Sequence, residues 1–111
     1  TKALVSTFFN LTKDSPAHVG LAALLSYESM VPEVSESKIE GLKSFYNIND
    51  ETSLHFFLVH IKADKIHRKI CFSLLDSICK TNEQKEDALQ AVDSALDVLN
   101  GFLTGVQKNY Y

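Results

Sequence analysis

Residues 54–78 read LHFFLVHIKADKIHRKICFSLLDSI, a run whose apolar residues recur at helical spacing. Within it lies His60-x-x-x-Asp64-x-x-His67. Steps of four and three return to the same face of an α-helix, so these three polar side chains form one row over roughly 10 Å of rise. Phe56, Phe57, Val59, Ala63, Ile70, Cys71, Leu74, Leu75 and Ile78 project within the same half of the helical wheel, while Lys62, Lys65, Arg68, Lys69 and Lys80 take the solvated half. The polar row therefore runs down an apolar face, where two imidazoles and a carboxylate are costly unless something satisfies them. A metal ion satisfies all three together; a hydrogen-bonded core network is the alternative.

Working outward, the rest of the chain reads as helix broken by short turns, with two prolines, four glycines and no alternating strand pattern. A first helix is expected over residues 2–12, with Ala3, Leu4, Phe8 and Leu11 as its buried stripe. Ser15 as N-cap and Pro16 at the first helical position start a second. Leu21, Leu24, Leu25, Val31, Ser35, Ile39, Leu42 and Tyr46 share one side of it, which carries it to about residue 46. Glu28 lies in the centre of that apolar side, and Pro32 can neither donate to the Glu28 carbonyl nor leave it room, so a kink or bulge is expected beside Glu28. Asn47-Ile-Asn-Asp50 is a turn, with Asn49 or Asp50 capping a third helix that runs to about residue 80. Thr81-x-x-Gln84 matches a capping box opening a fourth. Its Leu89, Val92, Leu96, Leu99, Leu103 and Val106 alternate in steps of three and four, predicting a narrow packing seam, and Gly101 and Gly105 suggest a close helix approach.

A carboxylate at Glu28 facing the row of the third helix gives a Glu28, His60, Asp64, His67 set, and mixed oxygen and imidazole donors on bundle helices are how carboxylate-bridged metal centres are built. A buried ion pair of Glu28 with a protonated histidine is the competing reading. His55 falls on the lysine side and is expected at the surface; His18, near a helix start, carries no assignment. Tyr27 and Lys38 lie on one flank of the second helix beside Glu28. Each has an active reading, a redox phenol and a reactive amine, and a bland one, a core aromatic and a snorkelling edge cation. There is no Gly-rich phosphate loop, nucleophile elbow or thiol catalytic arrangement.

Composition bounds these readings. The chain has 111 residues, 45% hydrophobic and 23% charged, as expected of a single helical domain. A net charge of −3 supplies no basic field for nucleic acid. No apolar run is long enough to span a bilayer and no signal-peptide pattern is present, so a cytoplasmic protein is the default. Cys71 and Cys79 lie on one expected helix, cannot pair with each other, and suit a reducing compartment.

Tyr27-Glu28-Ser-Met-Val-Pro32, Lys38-Ile-Glu-Gly41-Leu and Phe56-Phe-Leu-Val-His60-x-x-x-Asp64-x-x-His67 together resemble the haem-oxygenase-like di-iron proteins typified by the Chlamydia protein associating with death domains (CADD), relatives of the PqqC and TENA groups. The resemblance implies part of an all-α, haem-oxygenase-like helical bundle, about four helices of a larger one. It implies a non-haem site for two iron ions, with manganese as a substitute, that activates oxygen in making the para-aminobenzoate part of folate. It makes Glu28, His60, Asp64 and His67 iron ligands. Tyr27 and Lys38 are expected to take part in the oxidation on a separate ground, because a phenol and an amine held beside such a centre react as if at very high local concentration. The family takes a further glutamate and histidine from an earlier helix, and no segment before Glu28 supplies them. The chain therefore resembles the C-terminal half of such a protein, with the N-terminal half or a second protomer as partner and homo-oligomerisation expected. A cofactor-free oxidase resembling PqqC, and a helical interaction module for a partner such as a death domain, are the rival readings.

Overall fold

The structure, a computed structural model, describes residues 1–111 as five α-helices: α1 (Lys2–Lys13), α2 (Ala17–Glu28), α3 (Val31–Tyr46), α4 (Glu51–Ile78) and α5 (Asn82–Tyr110). The all-α class is as expected, but the long helix expected over 16–46 is two helices. The disturbance at Pro32 is a full break at Ser29 and Met30. Pro32 offers no N–H to the Glu28 carbonyl, yet in the first turn of a new helix the missing donor costs nothing, so α3 restarts there.

Local hydrogen bonds fix the other ends. Asp50 Oδ1 accepts from Ser53 N–H at 2.8 Å to start α4. Gln84 N–H donates to Thr81 Oγ1 at 3.1 Å while Thr81 N–H donates to Gln84 Oε1 at 3.0 Å, the reciprocal capping box expected for α5. Asn47 takes left-handed geometry, φ 53°, to close α3. Ser15 departs from expectation: its hydroxyl donates to the Asn10 carbonyl at 2.9 Å, finishing α1 instead of capping α2.

The chain forms two compact units. In the first, residues 1–27 and 71–111, α1 lies along α5. Its buried apolar residues are Ala22, Ala23, Leu25, Cys71, Cys79, Ala91 and Ala95. The inward face of α5 thus runs through Ala91 and Ala95. Of the seam expected there, Leu89, Leu96 and Leu103 are 59%, 37% and 55% exposed. A Cβ at Gly101 or Gly105 would meet nothing within 4 Å, so neither marks a close helix approach. That role falls to Gly20, where a Cβ would stand 3.4 Å from the Leu11 carbonyl oxygen.

The second unit, residues 28–70, is an antiparallel hairpin of α3 and the first part of α4. Glu33 pairs with Arg68 and, further along α3, Glu36 pairs with Lys65, an order that only antiparallel helices give. Pro32, Ser35 and Ile39 are the buried face of α3, and Leu54 and Asp64 are buried on α4. The apolar half expected of α4 resolves into two stripes. Leu54, Phe57, Ile61, Asp64 and Arg68, spaced three and four apart, point inward. Phe56, Val59, Ile66 and Ile70 point outward and are 63%, 43%, 59% and 51% exposed. No helix of the chain is long and apolar enough to cross a membrane.

Candidate metal centre

Three of the four residues expected as ligands come together. Donor atoms of Glu28, Asp64 and His67 all lie within 4.8 Å of one another. Asp64 sits in the inward stripe of α4, His67 lies one turn on at the border between the stripes, and Glu28, the last residue of α2, comes to them from the break before α3. Asp64 is 5% exposed, so its carboxylate has little water to rely on. It is met by His67 Nδ1 at 2.9 Å. The same nitrogen lies 3.8 Å from Glu28 Oε2, which leaves the imidazole between two carboxylates. Its own side chain is 51% exposed, so the group is open on one side.

Two carboxylates this close repel each other unless a proton or a cation lies between them. The donor set fits a divalent metal ion. Donors on opposite sides of one ion stand about 4.2 Å apart at roughly 2.1 Å each, so a spread of 4.8 Å closes with a small side-chain rotation. Mixed carboxylate and imidazole donors suit iron or manganese, and the exposed edge leaves room for a further ligand.

His60 is outside this group. Its Nδ1 is held by the Phe56 carbonyl at 2.7 Å, and its ring lies against Phe56 with centroids 4.2 Å apart. That arrangement fixes the tautomer and presents Nε2, as in metal-bound histidines whose other nitrogen is tied to a backbone oxygen. His55 is exposed, as expected. Lys38 is exposed as well, with Nζ 5.8 Å from the centroid of Phe57, a cation above a ring and not a buried amine. Tyr27 is 51% exposed and, within its own unit, lines an apolar cavity of about 330 Å³ with Leu4, Val5, Phe8, Leu24 and Leu99. His18, unassigned from the sequence, is buried and its Nε2 meets Asp87 Oδ2 at 3.3 Å, which accounts for it as a structural pair.

Periodicity puts Arg68 on the solvated side with the lysines, but the structure turns it toward α3. Its Nη2 donates to the Ser29 carbonyl and to Glu33 Oε1 and Oε2 at 3.1 and 2.8 Å. Hydrogen bonding from Arg68 holds the Glu33 carboxyl below the usual glutamate range. The signal was available: Leu54, Phe57, Ile61, Asp64 and Arg68 keep the alternating three and four spacing of a single inward row.

The chain has relatives among known proteins. The chain is 38% identical over 110 residues to the 4-aminobenzoate synthase of Nitrosomonas europaea, covering 99% of this chain and 45% of that protein. It is 31% identical over 102 residues to the 4-aminobenzoate synthase of Chlamydia trachomatis, covering 92% and 43%. To the pyrroloquinoline-quinone synthase of Ruegeria pomeroyi it is 29% identical over 102 residues, covering 89% and 41%. The chain thus spans less than half the length of these relatives. No solved structure matches it. Residues 1–100 match the profile described as iron-containing redox enzyme, which is haem-oxygenase-like, and with a carboxylate and imidazole cluster at its centre the chain belongs to that family.

Proposed function

We propose that this chain is the ligand-bearing C-terminal part of a cytoplasmic, CADD-like non-haem di-iron oxidase that makes para-aminobenzoate. The convergence of Glu28, Asp64 and His67 carries the reading, and similarity to two 4-aminobenzoate synthases supports the product. Glu28, Asp64 and His67 would hold one ion, and the oriented Nε2 of His60 would serve a second whose other ligands come from sequence that the longer relatives also carry. Bound iron supplies electrons for reaction with O₂. The chain's own residues prepare the place: Asp64 brings a negative charge into a nearly dry position, His67 closes the gap to Glu28, and Phe56 shields one face of His60.

The outward stripe of α4 and the exposed leucines of α5 carry the partner part of the proposal. Leu89, Leu96 and Leu103 repeat every seven residues, and Phe56, Val59, Ala63, Ile66 and Ile70 alternate in steps of three and four, both helix-packing patterns. Because the relatives are more than twice the length matched, the occupant is the corresponding N-terminal half, with a second copy of this chain or an unrelated helical partner as the other outcomes of a size measurement. Tyr27 and Lys38 are proposed to supply a phenol and an amine to the oxidation.

Iron analysis and product assay on the full-length protein test this reading. It expects close to two irons per complete site and O₂-dependent formation of para-aminobenzoate. Active protein free of iron would favour the cofactor-free oxidase, to which the pyrroloquinoline-quinone synthase relative is the pointer. Tyr27→Phe and Lys38→Arg, which keep shape and charge, are each expected to stop product formation with iron loading intact; unchanged activity in both would remove them from the chemistry.

A further inference from the structure

Glu28 is the one member of the cluster not carried on α4, and it sits where regular helix ends. α2 finishes at Glu28, Ser29 and Met30 are turn, and α3 starts at Val31. A carboxylate at the frayed end of a helix is a poor ligand unless its backbone is fixed, because a misplacement of about 1 Å is enough to spoil a constellation of this kind. Pro32 removes the amide that would otherwise bind the Glu28 carbonyl, so the helix's own ladder does not fix this point.

What does fix it comes from the helix that carries the other two donors. Arg68 follows His67 directly and lies one turn from Asp64. One of its guanidinium nitrogens bonds both the carbonyl of Ser29, the residue after Glu28, and the carboxylate of Glu33 in the first turn of α3. The break is thereby tied on both sides to the segment of α4 that presents Asp64 and His67. Arg68 Nε meanwhile is buried without a hydrogen-bond partner in the protein, a cost that a guanidinium free to swing into water would avoid. The contacts through Nη2 outweigh it.

We infer that Arg68 is the positioning residue of the centre: it sets where Glu28 stands relative to Asp64 and His67, and so sets the affinity for metal. The inference rests on the proposed metal-binding role of the cluster and adds to it a residue outside the donor set.

The test is manganese(II) titration of the full-length protein, following the signal of the free ion by electron paramagnetic resonance, at a temperature where circular dichroism shows every variant folded. Arg68→Gln is expected to weaken binding about 10–100-fold, the usual cost of losing a partner outside the ligand shell. Arg68→Lys, which keeps a cationic donor for the Ser29 carbonyl, should recover part of that loss, and Glu33→Gln, which keeps the carbonyl bond and removes one charge, should cost only a few-fold. Such graded rescue is not expected if Arg68 merely stabilises the hairpin. Arg68→Gln binding within twofold of the parent overturns the inference and leaves the metal site standing, and should that variant not fold, Arg68→Lys at parental affinity together with Glu33→Gln at parental affinity does the same. A parent protein that takes up no manganese overturns the metal site and the inference together.

Discussion

The unit formed by residues 1–27 and 71–111 buries Ala22, Ala23, Ala91 and Ala95, whereas the unit formed by 28–70 buries Ser35 and Asp64 beside Pro32, Ile39 and Leu54. Polar groups are buried in both, but they are answered differently. In the first, Ser26 Oγ donates to the Ala23 carbonyl at 2.6 Å and His18 meets the single carboxylate of Asp87. In the second, buried Asp64 faces a histidine and, across it, another carboxylate. A neutral hydrogen bond or a one-to-one pair is complete in itself. Two carboxylates sharing one imidazole leave a charge imbalance that a divalent cation would complete, and strain of this sort is retained where it serves a function.

The largest expected effect is on that imbalance. Asp64→Asn keeps size and hydrogen bonding but removes a charge, so metal affinity should fall by more than about 100-fold while the metal-free protein melts no lower than the parent, because carboxylate repulsion is relieved. The contrasting change in the other unit, Ala95→Leu, should leave metal binding alone and cost about 1–3 kcal/mol from overpacking. Metal titration and thermal melting on both variants separate the two kinds of burial; a marked loss of melting temperature in metal-free Asp64→Asn would mean that the carboxylate is structural.

Next comes the apolar surface that each unit turns outward. Ile66→Asp on α4 and Leu96→Asp on α5 replace residues that are 59% and 37% exposed. Covered by the rest of the longer protein, each aspartate would be desolvated and should cost about 2 kcal/mol or more in a denaturant titration of the full-length protein. Facing water, each should stay within about 0.5 kcal/mol of the parent. A difference between the two variants would show that only one of the units is covered.

These seams also mark how far the sequence could be read. Helix starts were legible at Asp50 for α4 and at the Thr81 and Gln84 box for α5, whereas at Pro32 a disturbance was legible but not a full break, and the Ser15 hydroxyl went to the end of α1 instead of the start of α2. The row of Asp64 and His67 was legible because polar residues on an apolar face stand out at helical spacing. Which of two apolar stripes points inward was not. Phe56 and Phe57, or Leu89 and Ala91, are equally apolar in a single chain, and the choice depends on what the neighbouring helix offers. On α5 small alanines won, since they permit close approach, and the larger leucines went outside. Arg68 was misplaced for the same reason, because its charge suggested solvent while its register put it in the inward row.

A smaller effect separates the local caps from the site. Thr81→Ala removes the hydroxyl that accepts from Gln84 N–H, which should cost about 1 kcal/mol of stability by denaturant melting and leave metal affinity unchanged. A change in metal affinity would couple the cap of α5 to the chemistry of the other unit and blur the distinction between the units.

Smallest of all is a pair of glycine changes inside the first unit, where only the space around the new methyl differs. Gly20 and Gly101 both lie within helices, so alanine at either position should gain about 0.5–1 kcal/mol by limiting the unfolded chain and favouring helix. At Gly101 nothing lies within 4 Å of the added Cβ, and the full gain should appear as a higher melting temperature. At Gly20 the Cβ would stand 3.4 Å from the Leu11 carbonyl oxygen and 3.6 Å from Thr12 Cα. Both are backbone atoms that cannot swing aside, so Gly20→Ala should gain less than Gly101→Ala, and Gly20→Val should fall below the parent. If Gly101→Ala instead destabilises the full-length protein, then another surface packs against that turn of α5, and the outward face there is an interface of the complete molecule.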